Sequence, residues 1–314
     1  MPFKTLASLK KLTNLNAEVA GLAPLETASV VAAVTTDPVQ VSVHPFAGGR
    51  GKVTNVSLDD VSAIALINKA VAVVKSGDDL WALLDIQHKP KMEQVGRDIR
   101  SLHCCPKGES ALAIGWDGNA AALAFQNNEV GGRQFVLRGD LRACSLTLDT
   151  TYVVVDGAGG GQLRGHPGNT PESGATTRAD LPAPAQGMDV LAGGHELSAL
   201  SKRGGNSVCV VQREGAAALT VKQLMVDGPV ADVAVISTSL FVLGADGKLR
   251  LYDGETVRQA SDGAPVTATH ELELRATGQP SVMCATTKGG NKLWVGTKGG
   301  DVICCSAVKG GLDI

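Results

Sequence analysis

A short apolar run, a turn bearing glycine or aspartate, and a second apolar run recur along the whole chain. Few architectures accommodate that repetition. The turns lie near Asp37, Gly77, Asp117, Gly159, Gly204, Asp246 and Gly299, at steps of about 40 to 45 residues until a longer last step with extra chain around 255–267. Stretches such as "VAVVKSGDDLWALL", "ALAIGWDGNAAALAF" and "LFVLGADGKLRLYD" show the pattern. Runs of five to eight Val-, Ala- and Leu-rich residues bounded by turn residues are strand signals, and sustained 3.6-residue periodicity is missing. "LASLKKLTNL" at 6–15 is the exception. Its leucines at 6, 9, 12 and 15 fit a helix face or a strand of mixed burial.

Each unit holds more than its hairpin. An apolar strand precedes it, as in "DVSAIALI" (60–67), "DIRSLHCC" (98–105), "DLRACSLT" (140–147), "PVADVAVI" (229–236) and "PSVMCATT" (280–287). The weaker members are "NAEVAGLA" (16–23) and "QGMDVLAG" (186–193). A polar, alternating strand comes before that, as in "KVTNVSL" (52–58), "RQFVLRG" (133–139), "LTVKQLM" (219–225) and "THELELR" (269–275). Each unit is therefore a four-stranded sheet with a polar outer strand. A sheet this small cannot bury both its faces. Stacking seven of them radially covers the faces and leaves only short edges, which is the logic of a β-propeller. Six or eight blades are the fallback count.

Within that frame, "LFVLGADGKLRLYDGETV" resembles the second half of a WD40 repeat, with Tyr-Asp where that family often has Trp-Asp. "PVADVAV" resembles the family's inner strand, and "SALAIGWDGNAAALAF" fits the same template. No Trp-Asp closes a blade and no regular Gly-His opens one, so the chain is similar to divergent WD40-like propellers. The resemblance implies a seven-bladed all-β ring acting as a protein-interaction scaffold. It also implies that Asp60, Asp98 and Asp140, at the starts of inner strands, cap the preceding loops. A second likeness, "GAGGGQLRGHPG" (157–168) to chromosome-condensation-regulator-type propellers, occurs once only.

Ring closure needs one more strand. After "VICCSAV" (302–308) only "KGGLDI" remains, whereas "FKTLASLKK" (3–11) has no partner of its own. The N-terminal segment is expected to complete the last blade, making residues 1–314 a single domain. The stretches 87–97, 165–178 and 253–268 read as irregular surface chain.

Composition narrows the function classes. Charge is balanced, 29 Lys+Arg against 31 Asp+Glu, which disfavours nucleic acid as a partner. No apolar run reaches the length of a membrane span, and the N-terminus lacks a secretory signal. An odd set of seven cysteines with two vicinal pairs reads as buried thiols in a reducing, cytoplasmic compartment. The six histidines are scattered, with no metal-ligand spacing, so neither metal nor cofactor is expected. His103 beside Cys104 would face oppositely on a strand. "GAGGGQLRG" lacks the Gly-Lys-Ser/Thr end of a phosphate loop.

The expected function is a non-catalytic interaction subunit of a larger assembly, with other proteins as partners. The alternative is a lactonase-like or other hydrolase using the axial channel, with turn aspartates around its mouth. The expected contact surface is the face carrying the hairpin turns: Asp78, Asp79, Trp116, Asp117, Lys202, Arg203, Asp246, Lys248, Lys298 and Asp301. Trp116 stands where matching repeats hold the smaller Ala245 and Thr297, and it either anchors a partner or folds over its own turn. Trp81 and Trp294 lie inside strands and are expected in the core.

Overall fold

The computed structural model describes residues 3–47, 51–136, 140–157, 160–168, 175–182, 188–214, 218–288 and 290–309. They form seven four-stranded antiparallel sheets. Blade one is Val19–Leu25, Val30–Thr35, Gln40–Pro45 and Lys52–Asn55. Blade two is Val61–Leu66, Val71–Ser76, Asp79–Leu84 and Lys91–Gly96. Blade three is Ile99–Cys104, Ser110–Gly115, Asn119–Gln126 and Glu129–Val136. Blade four is Asp140–Leu146, Thr150–Gly157, Gly160–Pro167 and Thr177–Asp180. Blade five is Val190–Ala192, Leu197–Ser201, Ser207–Glu214 and Ala218–Met225. Blade six is Val230–Ile236, Ser239–Gly244, Lys248–Tyr252 and His270–Glu273. Blade seven is Pro280–Thr286, Lys292–Thr297 and Asp301–Lys309, with Phe3–Asn14 outermost. First strands touch one another in cyclic order, the seventh against the first, so the sheets close a ring around an axis.

The core is divided as that geometry demands. Buried Val, Ala and Leu side chains form seven clusters among the described residues, one between each pair of neighbouring blades. Scarce aromatics sit where the ring is sealed. Phe3 packs edge-on against Phe241 at 6.0 Å between blades seven and six, and Phe46 lies 5.7 Å from Trp294 between blades one and seven. Trp294 is fully buried; Trp81 is only partly so.

The N-terminal segment is the expected closing strand, running three residues further than 3–11. Its leucine spacing imitates a helix because the pairing with Asp301–Lys309 is broken by bulges. Each bulge inserts a residue and flips the inside–outside alternation. Phe3 and Leu6 can thus both face blade six, while Leu12 faces blade one.

Three segments differ from the expected irregular chain. Within 87–97, Lys91–Gly96 is the outer strand of blade two; at an edge its mostly polar side chains cost nothing. Strands also occupy both ends of 165–178, and the middle of that stretch lies outside the described residues. In 253–268, Asp253 caps the short helix Gly254–Gln259 by accepting from Thr256 N at 2.8 Å, and Val257 buries against blades five and six. Residues beyond the helix then run along blade five's outer strand: Gly263 N donates to Gln223 O at 2.8 Å and Val266 N to Met225 O at 2.9 Å. The insertion therefore covers an open sheet edge.

The cysteines lie as free thiols on four different blades. Burial pushes Cys104, Cys209 and Cys305 up to about 12, and raises Cys144 and Cys284 too. Thiolate is the reacting form. Native alkylation followed by mass spectrometry is expected to leave all seven largely unmodified, Cys104 and Cys284 yielding first because they are the only incompletely buried pair. Rapid native labelling of Cys144 or Cys209 would contradict this packing.

Candidate interaction face and axial channel

The recurrent turn has a definite chemistry. In "GADGK" the Asp246 carboxylate folds back and accepts from Lys248 N at 3.3 Å. Gly247 takes φ 87°, the left-handed conformation that a tight hairpin needs. Gly244 has no side chain because that space is taken: a Cβ there would stand 2.1 Å from Asp246 Oδ1 and 2.5 Å from the Arg250 guanidinium. "GWDGN" repeats the arrangement, with Asp117 accepting from Asn119 N at 2.9 Å. The turns also bond the starts of the inner strands. Thr36 N, Gly77 N, Trp116 N, Ala245 N and Lys298 N donate to the carbonyls of Glu18, Asp60, Asp98, Pro229 and Gln279. Hairpin turns and the chain leading into inner strands therefore share one face. Asp60 and Asp98 have φ 49° and 57°, which short polar side chains tolerate, so their backbones shape these junctions. The side chain of Asp140 lies outside the described residues.

The ten expected surface residues separate into groups. Trp116 is 64% exposed. Its indole N–H donates to Asp78 Oδ1 at 3.2 Å, so it leans onto the neighbouring blade and not over its own turn. Asp78 and Asp117 are exposed and Asp79 is partly so. Lys202 and Lys298 are exposed. Arg203 reaches from blade five across to blade seven, donating to Ser281 O at 2.7 Å, while its backbone N–H donates to Asp189 Oδ1 at 2.8 Å. Lys248 pairs with Glu271 at 2.6 Å. Asp246 pairs with buried Arg250 at 2.5 Å and belongs to blade six's own structure. Asp301 leaves the surface altogether. It is fully buried, and takes Lys11 Nζ, Asn14 Nδ2 and Thr277 N at 2.6 Å each, which makes it the anchor of the closing strand.

The axis is a channel of about 590 Å³ lined by first strands of every blade. Four carboxylates among the described residues line it, Glu26, Asp149, Asp189 and Asp232, and none is among the expected site residues. Glu26 accepts from Thr287 N at 2.6 Å and from the Thr287 hydroxyl, stapling blade one to blade seven. Asp232 accepts from Val233 N at 2.9 Å and Met283 N at 2.7 Å, joining blade six to blade seven. The signal in the sequence was a lone carboxylate inside the apolar run "VADVAVI". His103 is pushed down to about 4 by burial and by Arg100; its ring meets Ser101 Oγ at 2.9 Å, while the Cys104 thiol donates to Pro24 O at 3.3 Å, so the two do not pair. Among the described residues no group of three or more His, Cys, Asp or Glu is placed to hold a metal. No described helix is long and apolar enough to cross a membrane.

Burial raises Asp232 to about 6, outweighing the Met283 N–H, Arg203 and the Val233 N–H, which pull it down. A raised folded value means the native state holds this proton more tightly than the unfolded chain. Its contribution to stability therefore grows as pH falls from 7 through 6 toward the ordinary value near 4. Asp232→Asn removes that titration. The melting advantage of wild type over this variant is expected to widen by about 1 kcal/mol between pH 7 and pH 5. A difference that stays flat over that range would refute the assignment.

No protein-family model and no curated protein matches the sequence. Among solved structures the chain is similar to one described as KlHsv2 with loop 6CD replaced by a Gly-Ser linker. The TM-score is 0.60 at 11% identity, over 91% of this chain and 90% of that one. At that identity the likeness speaks for architecture alone, and it agrees with the sheet topology: the chain is a seven-bladed β-propeller.

Proposed function

We propose that this propeller is a non-catalytic, WD40-like interaction module, a cytoplasmic subunit of a larger assembly that engages other proteins through its hairpin face. The observation that carries the reading is the exposed indole of Trp116. Its one polar atom is already bonded to Asp78, so what faces solvent is apolar ring, on a face otherwise made of polar turns. Burying such a ring in a partner contributes more than a solvated rim charge. The channel carboxylates support this reading over an axial hydrolase, because Glu26 and Asp232 are spent on holding inner strands together, Asp189 accepts from Arg203 N, and Asp149 accepts from the Thr147 and Thr150 hydroxyls of its own turn. Trp116→Ala is expected to weaken partner binding by roughly 1–3 kcal/mol with melting unchanged. Affinity capture from native extract with both proteins, followed by titration of whatever the variant loses, tests it. If the variant keeps every partner and instead melts lower, the indole is only a brace between blades and the reading fails.

A further inference from the structure

The hairpin face is not uniform in charge. Around Trp116, blades two and three bring together Asp59, Asp60, Asp78, Asp79, Asp98 and Asp117. The junction is held by Ile99 N donating to Asp78 O at 2.9 Å, Gly77 N to Asp60 O at 3.0 Å and Trp116 N to Asp98 O at 3.0 Å. All but Asp79 are exposed. The cations of this sector turn away or are already engaged. Lys75, with only 12% of its side chain exposed, folds onto Gly77 O and stands 4.0 Å from Asp78 Oδ1, so it offsets one carboxylate of the cluster from below and leaves the others uncompensated. Arg100 reaches across to the Leu141 and Arg142 carbonyls of blade four. Arg97 lies against Gln94 at 3.4 Å. Lys202, Arg203 and Lys298 stand on blades five and seven, across the axis. An exposed aromatic face on a sector rich in exposed carboxylates is the complement of a cationic side chain. The ring quadrupole attracts the charge from below and the carboxylates attract it from the sides. Because the indole N–H is tied to Asp78, the ring is held in place before any partner arrives.

We propose that the notch between the hairpin turns of blades two and three takes an arginine- or lysine-bearing segment of a protein partner, seated on the Trp116 ring. This rests on the interaction reading above and adds the chemistry of the partner. The opposite polarity of blades five and seven fixes which way the partner lies, since its acidic side is drawn there.

The test titrates the full chain, at low and at physiological salt, with a fluorescein-labelled peptide alternating arginine and glycine, and with its glutamate-for-arginine counterpart. Wild type is expected to bind the arginine peptide and not the glutamate one, with affinity falling as salt rises. Trp116→Ala, which changes no charge, should weaken binding about tenfold. Asp59→Lys, at a side chain with no bond of its own among the described contacts, should weaken it at least as much. Glu129→Gln, a loss of one carboxylate at the rim of the same blade, should stay within about twofold of wild type. Equal binding by wild type and Trp116→Ala overturns the proposal, because attraction would then be diffuse. Preference for the glutamate peptide, or no binding at low salt, overturns it as well. If Trp116→Ala loses a native partner whose contact segment proves acidic, the interaction reading survives and this inference alone falls.

Discussion

Removal of residues 3–11 opens the ring. These residues supply the greater part of the fourth strand of blade seven, paired from Phe3 opposite Lys309 to Lys11 opposite Ile303. They also carry Phe3 and Leu6, buried to 2% and 5% in the interface with blade six. Losing two such side chains costs on the order of 2–4 kcal/mol each, before any ladder hydrogen bond is counted. Domains of this kind have in total about 5–15 kcal/mol to lose. The truncated chain should therefore melt far lower, or fail to accumulate as folded monomer. Its bare edge at residues 303–309, with Ile303 and the two cysteines, invites pairing with another copy. Size-exclusion chromatography and thermal melting read both effects. A truncated protein that stays monomeric and melts like the full chain would show that the ring closes without this strand.

How the closure could be read from sequence shows which information a repeat carries. Blade number, strand order and the origin of the last strand follow from the turn-to-turn spacing and from counting strands, because each unit repeats the same physical problem of a two-faced sheet. The turns were legible for a local reason: "GADGK" and "GWDGN" encode a carboxylate bond, a left-handed glycine and a small residue beneath the carboxylate, all within five positions. What spacing cannot reveal is which carboxylates turn inward. Asp246, Asp117 and Asp301 follow similar turns, yet one clamps Arg250, one braces its own loop and one is sealed beneath the N-terminal strand. That last difference depends on Lys11 and Asn14, almost the full chain length away. Lys91–Gly96 was hidden for the opposite reason: an edge strand buries little and so carries little apolar signature. The bearing of Trp116 also depended on a contact between blades, since Asp78 lies one repeat earlier. Sequence placed the indole at a turn; only the assembled ring shows that it spans two of them.

Asp301→Ala is expected to cause the second largest loss of stability, about 2–4 kcal/mol. The carboxylate is fully buried and gathers three donors from both ends of the chain: Lys11 Nζ, Asn14 Nδ2 and Thr277 N. Truncation empties a buried position and takes the shared acceptor from the Thr277 N–H and the half-buried Asn14 amide, which keeps only its bond to Gly299 O at 2.9 Å. Lys11 is 46% exposed and can return to solvent, so the cost stays below that of stranding a wholly buried cation. Asp301→Asn separates charge from shape, since the amide keeps the size and one acceptor oxygen but no longer pairs with Lys11. The two should also differ from wild type in acid. Burial pushes the Asp301 carboxyl up, but Lys11, the Thr277 N–H and Asn14 together outweigh it and hold the group below its ordinary value. With a depressed folded value, its contribution is fully present above the unfolded value near 4 and is lost as pH falls through the folded one. Wild type should therefore lose its advantage over Asp301→Asn below about pH 4, and keep it undiminished from pH 5 to 7. Melting curves across that range decide the matter. An advantage that is already shrinking between pH 7 and 5, or that persists unchanged to pH 2, would mean that the ion pair with Lys11 is not what locks the N-terminal strand into the ring.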